Sequence, residues 1–356
     1  VPAGENYRYT PPIVNRYMRN VMFNQRAESG AKQMEIDVEK FKAYVNTCRN
    51  WFDYQRLASA LKINAGHSFG KYWERFGATH PDWFALQPDG SRDQSKSPDR
   101  SRLCLSNPEL RAQVAEDAKE YFATHPDERT FSIALNDGGR TVFCTCPKCT
   151  AWDAPEAGTV QWGSHVVPKM SDRVWRFSCD VARAVEKTCP GRFLTAYAYS
   201  AYCDPPTRKL DFPPNLIIAI VGGEDTIKAW QGIGGMKTWR PNAFSKYGLG
   251  ADDTASLGRD VQAAWKAGVV VTDLDGNLGH WLGEGINYYV VAKMLWDPSV
   301  SASVYRERYL RLGFGPAAKS VQAFYDRTIE LEKAIAAAPA DQKPARGGPG
   351  LSNFAK

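Results

Sequence analysis

The residues best suited to chemistry in this 356-residue chain cluster between Thr130 and Cys149, in TFSIALNDGGRTVFCTCPKC. Asn136 and Asp137 set an amide beside a carboxylate on a glycine turn, and Cys144, Cys146 and Cys149 place three thiols within six positions. A carboxylic acid held at a cleft can protonate the leaving oxygen of a glycosidic bond, while a second carboxylate stabilises or attacks the anomeric carbon. Asp137 is the expected acid, and Asn136 the expected contact to a sugar's 2-substituent. Asn-Asp-Gly is equally an ordinary turn sequence, so the rest of the chain has to decide.

For the second carboxylate, Glu224 in VGGED and Glu284 in HWLGEG are the candidates. Asp273 and Asp275 compete with them, although DxDGN also resembles a turn or a weak cation loop. Tyr199, Tyr202 and Trp281 are candidate sugar-stacking residues that could equally be core. His67, in Gly66-His67-Ser68, is a further substrate contact in this reading.

Cys144, Cys146 and Cys149, with Cys104 as a fourth, form a candidate structural cluster. CxCxxC is tighter than the usual paired CxxC spacing of zinc sites, so local disulfides or free thiols are the favoured reading over metal. A zinc hydrolase is disfavoured, because thiolate-only sites are usually structural and closed. The five histidines show no metal-ligand spacing. No cofactor or catalytic metal is expected.

Elements that could position these groups follow from hydrophobic patterning. Strands are expected over Arg16–Phe23, Ala60–His67, Phe131–Leu135, Phe193–Tyr199, Leu216–Val221, Phe244–Gly250 and Val269–Asp273, with a weak one near Phe52–Leu57. Helices are expected over Glu35–Trp51, Pro108–Phe122, Ser171–Cys189, Gly285–Leu295 and Ser320–Ala338. Asn107 supplies the N-cap and Pro108 the first helical position of the second. Ala151–Lys169 reads as irregular. Short apolar strands alternating with helices argue for parallel βα units. About eight of them suit a (β/α)8 TIM-type barrel over residues 1–338, followed by a Pro/Gly-rich tail, 339–356, expected to be disordered. In such a barrel active groups sit where strands end. Those ends carry His67, Asn136-Asp137, Tyr199, Glu224-Asp225, Asp252-Asp253 and Asp273-x-Asp275, more polar groups than a purely structural barrel needs.

Bulk composition narrows the classes. A net charge of +6 from scattered Lys and Arg gives little support for nucleic-acid binding. No apolar run reaches membrane-spanning length. Eleven Trp, 16 Tyr and 16 Phe supply aromatic faces of the kind sugar clefts use. The expected partner is a glycan or polysaccharide, with no nucleic acid and no membrane, and the oligomeric state is left open.

Four motifs then occur in order: HPDWFAL (His80 to Leu86), LCLSNPELR (Leu103 to Arg111), LNDGGRTVFCTCPKC (Leu135 to Cys149) and NYYVVAKMLWDP (Asn287 to Pro298). Together they resemble the bacterial domain of unknown function 4838, which includes the endo-β-N-acetylglucosaminidases of glycoside hydrolase family 163. The resemblance covers most of residues 60–330. It implies a (β/α)8 catalytic barrel, retaining hydrolysis of N-acetylglucosamine-containing glycans with the substrate's 2-acetamido group as nucleophile, and a secreted or periplasmic bacterial protein. In related hexosaminidase barrels a pair of acids ends the fourth strand, and the matching positions here are Asn136 and Asp137. The alternatives are a glycosidase of other specificity, such as uronic acid or plant or algal polysaccharide, and a catalytically silent carbohydrate-binding barrel.

Overall fold

The computed structural model describes residues 9–19, 27–33, 35–58, 61–138, 142–162, 165–244, 252–275 and 281–338. Its strands are β1 (Asn15–Arg19), β2 (Thr130–Ser132), β3 (Thr159–Trp162), β4 (His165–Pro168), β5 (Phe193–Ala198), β6 (Leu216–Ile220), β7 (Lys237–Trp239) and β8 (Val271–Asp275). The chain forms two compact units, one from residues 61–238 and one from residues 1–60 with 239–356.

In the unit of residues 61–238, β2, β5 and β6 run parallel, with Thr130 beside Phe193 and Leu194 beside Leu216. Every residue of β6, LIIAI, is buried. A strand covered on both faces needs no polar alternation, which is why a short apolar run marks it. The helices Pro108–Thr124 and Ser171–Thr188 pack together. Val174, Phe177, Val181 and Val185 form the buried stripe of the second, as their spacing predicts. Asn107 Oδ1 accepts from the amides of Glu109 and Leu110 and caps the first.

The other unit joins β1 to β8 in parallel, from Asn15 beside Val271 to Arg19 beside Asp275. Its helix Trp281–Trp296 buries Ile286, Tyr288, Val290, Val291, Ala292, Met294 and Leu295. These residues cover most of the helix's circumference, leaving one half-buried face with Tyr289, Lys293 and Trp296. Parallel strands alternating with helices make both units α/β.

Several elements differ from the sequence reading. The weak strand near Phe52–Leu57 is not formed, because the helix Val38–Tyr54 runs into it and is followed, after the cap Gln55, by Arg56 at φ 58°. Ala151–Lys169, read as irregular, contains the antiparallel hairpin β3–β4. β7 was not foreseen. Of Phe244–Gly250, Phe244 donates its amide to Asp275 O at 3.2 Å, and 245–250 lie outside the described residues, as does the tail from Pro339.

The segment expected as a strand over Ala60–His67 forms no regular strand among its described residues. Hydroxyl groups take the place of the ladder there. Thr130 Oγ1 accepts from Asn64 N (2.7 Å), Ser132 Oγ engages both Gly66 N (3.1 Å) and Gly66 O (2.5 Å), and Thr195 Oγ1 donates to Asn64 O (2.6 Å). Tyr197 Oη donates to Ala65 O at 2.8 Å. Side chains of the sheet thus satisfy the backbone groups of Asn64, Ala65 O and Gly66, and β pairing among the described residues of the segment is confined to a single bridge between His67 and Ala134.

Candidate active site

The apolar stretch Ile133–Leu135 continues the line of β2 and delivers Asn136, Asp137 and Gly138. Gly138 adopts φ +63°, a left-handed conformation that favours glycine. Asp137 is half-buried. Its Oδ1 accepts from Gly138 N at 2.7 Å and its Oδ2 from the Tyr199 hydroxyl at 3.2 Å. Tyr199 follows β5, the parallel neighbour of β2. The carboxylate and the phenol therefore stand at adjacent C-terminal strand ends, where parallel α/β folds place reacting groups. Ser200, next in sequence, is held at φ +53°, a left-handed conformation that a non-glycine residue adopts at a cost.

His67 lies on the same side of the unit, its ring 6.4 Å from that of Tyr199 and 5.4 Å from that of Tyr197. A carbonyl can only accept, so the 2.5 Å contact to Leu135 O fixes the proton on Nδ1 and leaves Nε2 as the basic nitrogen of the neutral ring. His67 is exposed and also lines an open groove of about 670 Å³ with Tyr72, Arg75, Asp117, Tyr121 and Phe131.

Two expected substrate contacts need correction. Asn136 is only 3% exposed; its Oδ1 accepts from Phe69 N (3.1 Å) and its Nδ2 donates to Ser101 O (3.1 Å). That amide is committed to the scaffold, where it locks the strand end in place. Tyr202 is 2% exposed, and burial pushes its phenol up from the ordinary value, so its ring belongs to the core rather than to a stacking surface.

The remaining expected residues are distributed as follows. Glu224 opens the helix Glu224–Ala229 and pairs with Lys228 at 2.7 Å. Glu284 belongs to the other unit, is 5% exposed and accepts from Asn287 Nδ2 at 2.7 Å. Asp273 and Asp275 lie half-buried in β8, with Arg240 3.5 Å from Asp275. The backbone of Trp281 begins the helix Trp281–Trp296, and its side chain lies outside the described residues.

With this geometry in place, comparison with known proteins places the chain. The family model described as "Domain of unknown function (DUF4838)" matches residues 6–326. The chain belongs to this family. None of the curated proteins matches it. Among solved structures it is similar to an inactive mutant of the GH20 exo-β-N-acetylglucosaminidase from Vibrio harveyi, at 11% identity and a TM-score of 0.37 over 80% of this chain and 45% of that one. The same enzyme in complex with N-acetylglucosamine gives 9% identity and a TM-score of 0.38, with the same coverage. The DUF4838 chain spans less than half the length of those structures, and overlap this loose does not establish a shared fold. No helix among its described residues is long and apolar enough to cross a membrane.

One residue that holds this DUF4838 site went unread in the sequence. Arg102, 4% exposed, donates from Nη1 to Asn136 O (2.5 Å) and from Nη2 to Gly138 O (2.7 Å), gripping the backbone on both sides of Asp137. Its guanidinium also lies over the Phe143 ring at 4.8 Å. Burial holds its pKa below the ordinary value, a sign that the fold carries this charge at a cost. Arg102 sits in SRLCL, where neither periodicity nor a motif marks it. The cysteines also depart from one expected alternative. None of the eight forms a disulfide, and the four near the site stand too far apart for one.

Proposed function

We propose that this chain is a glycoside hydrolase in which Asp137 protonates the leaving glycosidic oxygen. The observation that carries this reading is the pairing of Asp137 with Tyr199 at the C-terminal ends of two adjacent parallel strands, 3.2 Å apart. The clamp of Arg102 and the strained backbone at Ser200 support it, because a reacting group has to be held more tightly than an ordinary turn. The substrate class, glycans containing N-acetylglucosamine, comes from the family resemblance, and a (β/α)8 barrel over residues 1–338 from that resemblance together with the alternation of strands and helices in the sequence. Under this reading the 2-acetamido group attacks the anomeric carbon of its own sugar as the aglycone leaves with the proton of Asp137. Water then opens the resulting oxazolinium ion and returns a proton to the Asp137 carboxylate. Asn136 is committed elsewhere, so the polar group placed to meet the substrate beside the acid is the Tyr199 hydroxyl. A second protein carboxylate, Glu224 or Glu284, is not required by this route.

The test is hydrolysis of complex N-glycoprotein and of a panel of aryl glycosides by wild type and Asp137→Ala. Wild type is expected to release glycan, and the variant to lose about 10²–10⁴-fold in turnover while still binding. Cleavage of another glycoside alone would keep the acid and discard the substrate. Binding on a glycan array with no cleavage of any substrate would replace the enzyme with a carbohydrate-binding barrel.

A further inference from the structure

Near the candidate site, four sulfurs converge on one point. Cys104 Sγ is 3.7 Å from Cys146 Sγ and 3.8 Å from Cys149 Sγ, and with Cys144 all four lie within 4.8 Å of one another. A disulfide would require about 2.05 Å. Four thiolates bound tetrahedrally at a Zn–S distance of about 2.3 Å would stand roughly 3.8 Å from each other. The two separations from Cys104 match ligands around a single ion, and the other sulfurs lie within reach of the same point. Multi-iron clusters need more room between their cysteines than this.

The surroundings are also those of a metal site. The Leu86 amide donates to Cys144 Sγ at 3.2 Å, and the Cys149 amide to Cys146 Sγ at 3.4 Å. The Ser106 hydroxyl lies 3.1 Å from Cys149 Sγ. Donors aimed at sulfur orient and stabilise thiolates. Cys146 and Cys149 bracket the start of a single helical turn, Pro147–Thr150, with Cys146 as its N-cap, so one CxxC turn brings two ligands to one side. Cys104 arrives from a segment whose Leu103 bridges Phe84. Cysteines 144, 104, 146 and 149 are 2%, 4%, 7% and 0% exposed and pack against Ala85. Four protein ligands in a closed, apolar pocket leave no position for water or substrate, which separates a structural from a catalytic site.

We propose that Cys104, Cys144, Cys146 and Cys149 bind one zinc ion in a closed tetrathiolate site. Each thiol gives up its proton on binding, so affinity rises with pH and the binding free energy becomes folding free energy. The ion joins two segments that also meet at Asp137: the one carrying Arg102, two residues before Cys104, and the loop that follows the Asn136–Gly138 turn. Arg173 fastens the same loop from another side, donating from Nη1 to Cys144 O at 2.6 Å and pairing with Asp153. Zinc in this place sets the geometry of the turn without taking part in the reaction there.

The experiment is elemental analysis of the full chain purified under reducing conditions without a metal-affinity step or chelator, after growth with zinc and iron both supplied. About one zinc per chain is expected, falling to near zero in Cys144→Ser and Cys149→Ser. Because those variants can fail to fold, the wild type is also exchanged with Co²⁺, whose visible spectrum reports ligand type and geometry. Tetrahedral d–d bands with thiolate charge transfer support the site. A chain that folds with less than about a tenth of an equivalent of zinc overturns it, as does stoichiometric iron or an octahedral cobalt spectrum. None of these readings depends on glycan hydrolysis, so this proposal and the catalytic one can fail separately.

Discussion

Replacing Arg102 with methionine removes the two donors that hold the peptide groups around Asp137 while keeping most of the apolar stem. Each charge-assisted bond, to Asn136 O and to Gly138 O, is worth about 1.5–3 kcal/mol, so the gross loss is about 3–6 kcal/mol. The contact over the Phe143 ring adds about 1 kcal/mol. Against this, the fold no longer buries a guanidinium, which returns a few kcal/mol. The expected net destabilisation is about 2–4 kcal/mol. Urea unfolding of wild type and Arg102→Met measures it, with hydrogen exchange at Gly138 and Val142 as a local reading. The functional effect should exceed the stability effect in specificity: a carboxylate displaced by about 1 Å loses about 100-fold in kcat/KM even where the chain remains folded. Arg102→Lys should fall between, since an ammonium cannot reproduce the planar two-pronged grip. If Arg102→Met unfolds at the wild-type midpoint and exchanges its Gly138 amide no faster, the clamp reasoning is wrong.

Two further predictions concern the same unit. Asp117 is held below the ordinary carboxyl value; burial works against its charge, but hydrogen bonds from Arg75, Tyr72 and Gln113 outweigh it. A depressed folded pKa adds stability that is present above the unfolded value of about 3.9 and is lost as pH falls through the folded one. Asp117→Asn should therefore flatten the loss of stability between about pH 5 and pH 3, and an unchanged slope would remove Asp117 from the account. Ser132→Ala deprives both backbone groups of Gly66 of a partner at once and should cost about 1–3 kcal/mol in urea unfolding. The Ser68 hydroxyl still donates to Gly66 O, so the loss falls mainly on Gly66 N, and a cost below about 0.5 kcal/mol would remove Ser132 from the account.

How much of this was legible in the sequence depended on whether one residue's environment or several distant ones decided the outcome. β5, β6 and β8 were readable because continuous apolar runs have few alternatives to a covered strand. The helix Ser171–Thr188 was readable because its four-residue spacing buries one stripe. Residues 61–67 form only a single bridge, at His67, instead of the expected strand, because Thr130, Ser132, Thr195 and Tyr197, remote in sequence, supply most of the segment's hydrogen bonds. Asn136 was correctly placed at a strand end, but its role turned on Phe69 N and Ser101 O, which no local pattern reveals. The cysteines show the same limit from the other side. CxCxxC alone favoured disulfides or free thiols, whereas a fold that brings Cys104 to the remaining three changes the chemistry they can support.

The pairing of β1 with β8 has a consequence for how the chain is made. The Thr272 hydroxyl donates to Asn15 O across 257 positions of sequence. At about 5–20 residues per second, a ribosome that has released β1 needs roughly 13–50 s to supply its partner. Late in that interval, once residue 238 has been made, the unit of residues 61–238 has all of its own parts, while β1 has only the bridge from Arg16 to Ala58 and still waits for β8. Translation thus imposes an order on assembly, and β1 is exposed to a chaperone or a neighbouring nascent chain until β8 arrives.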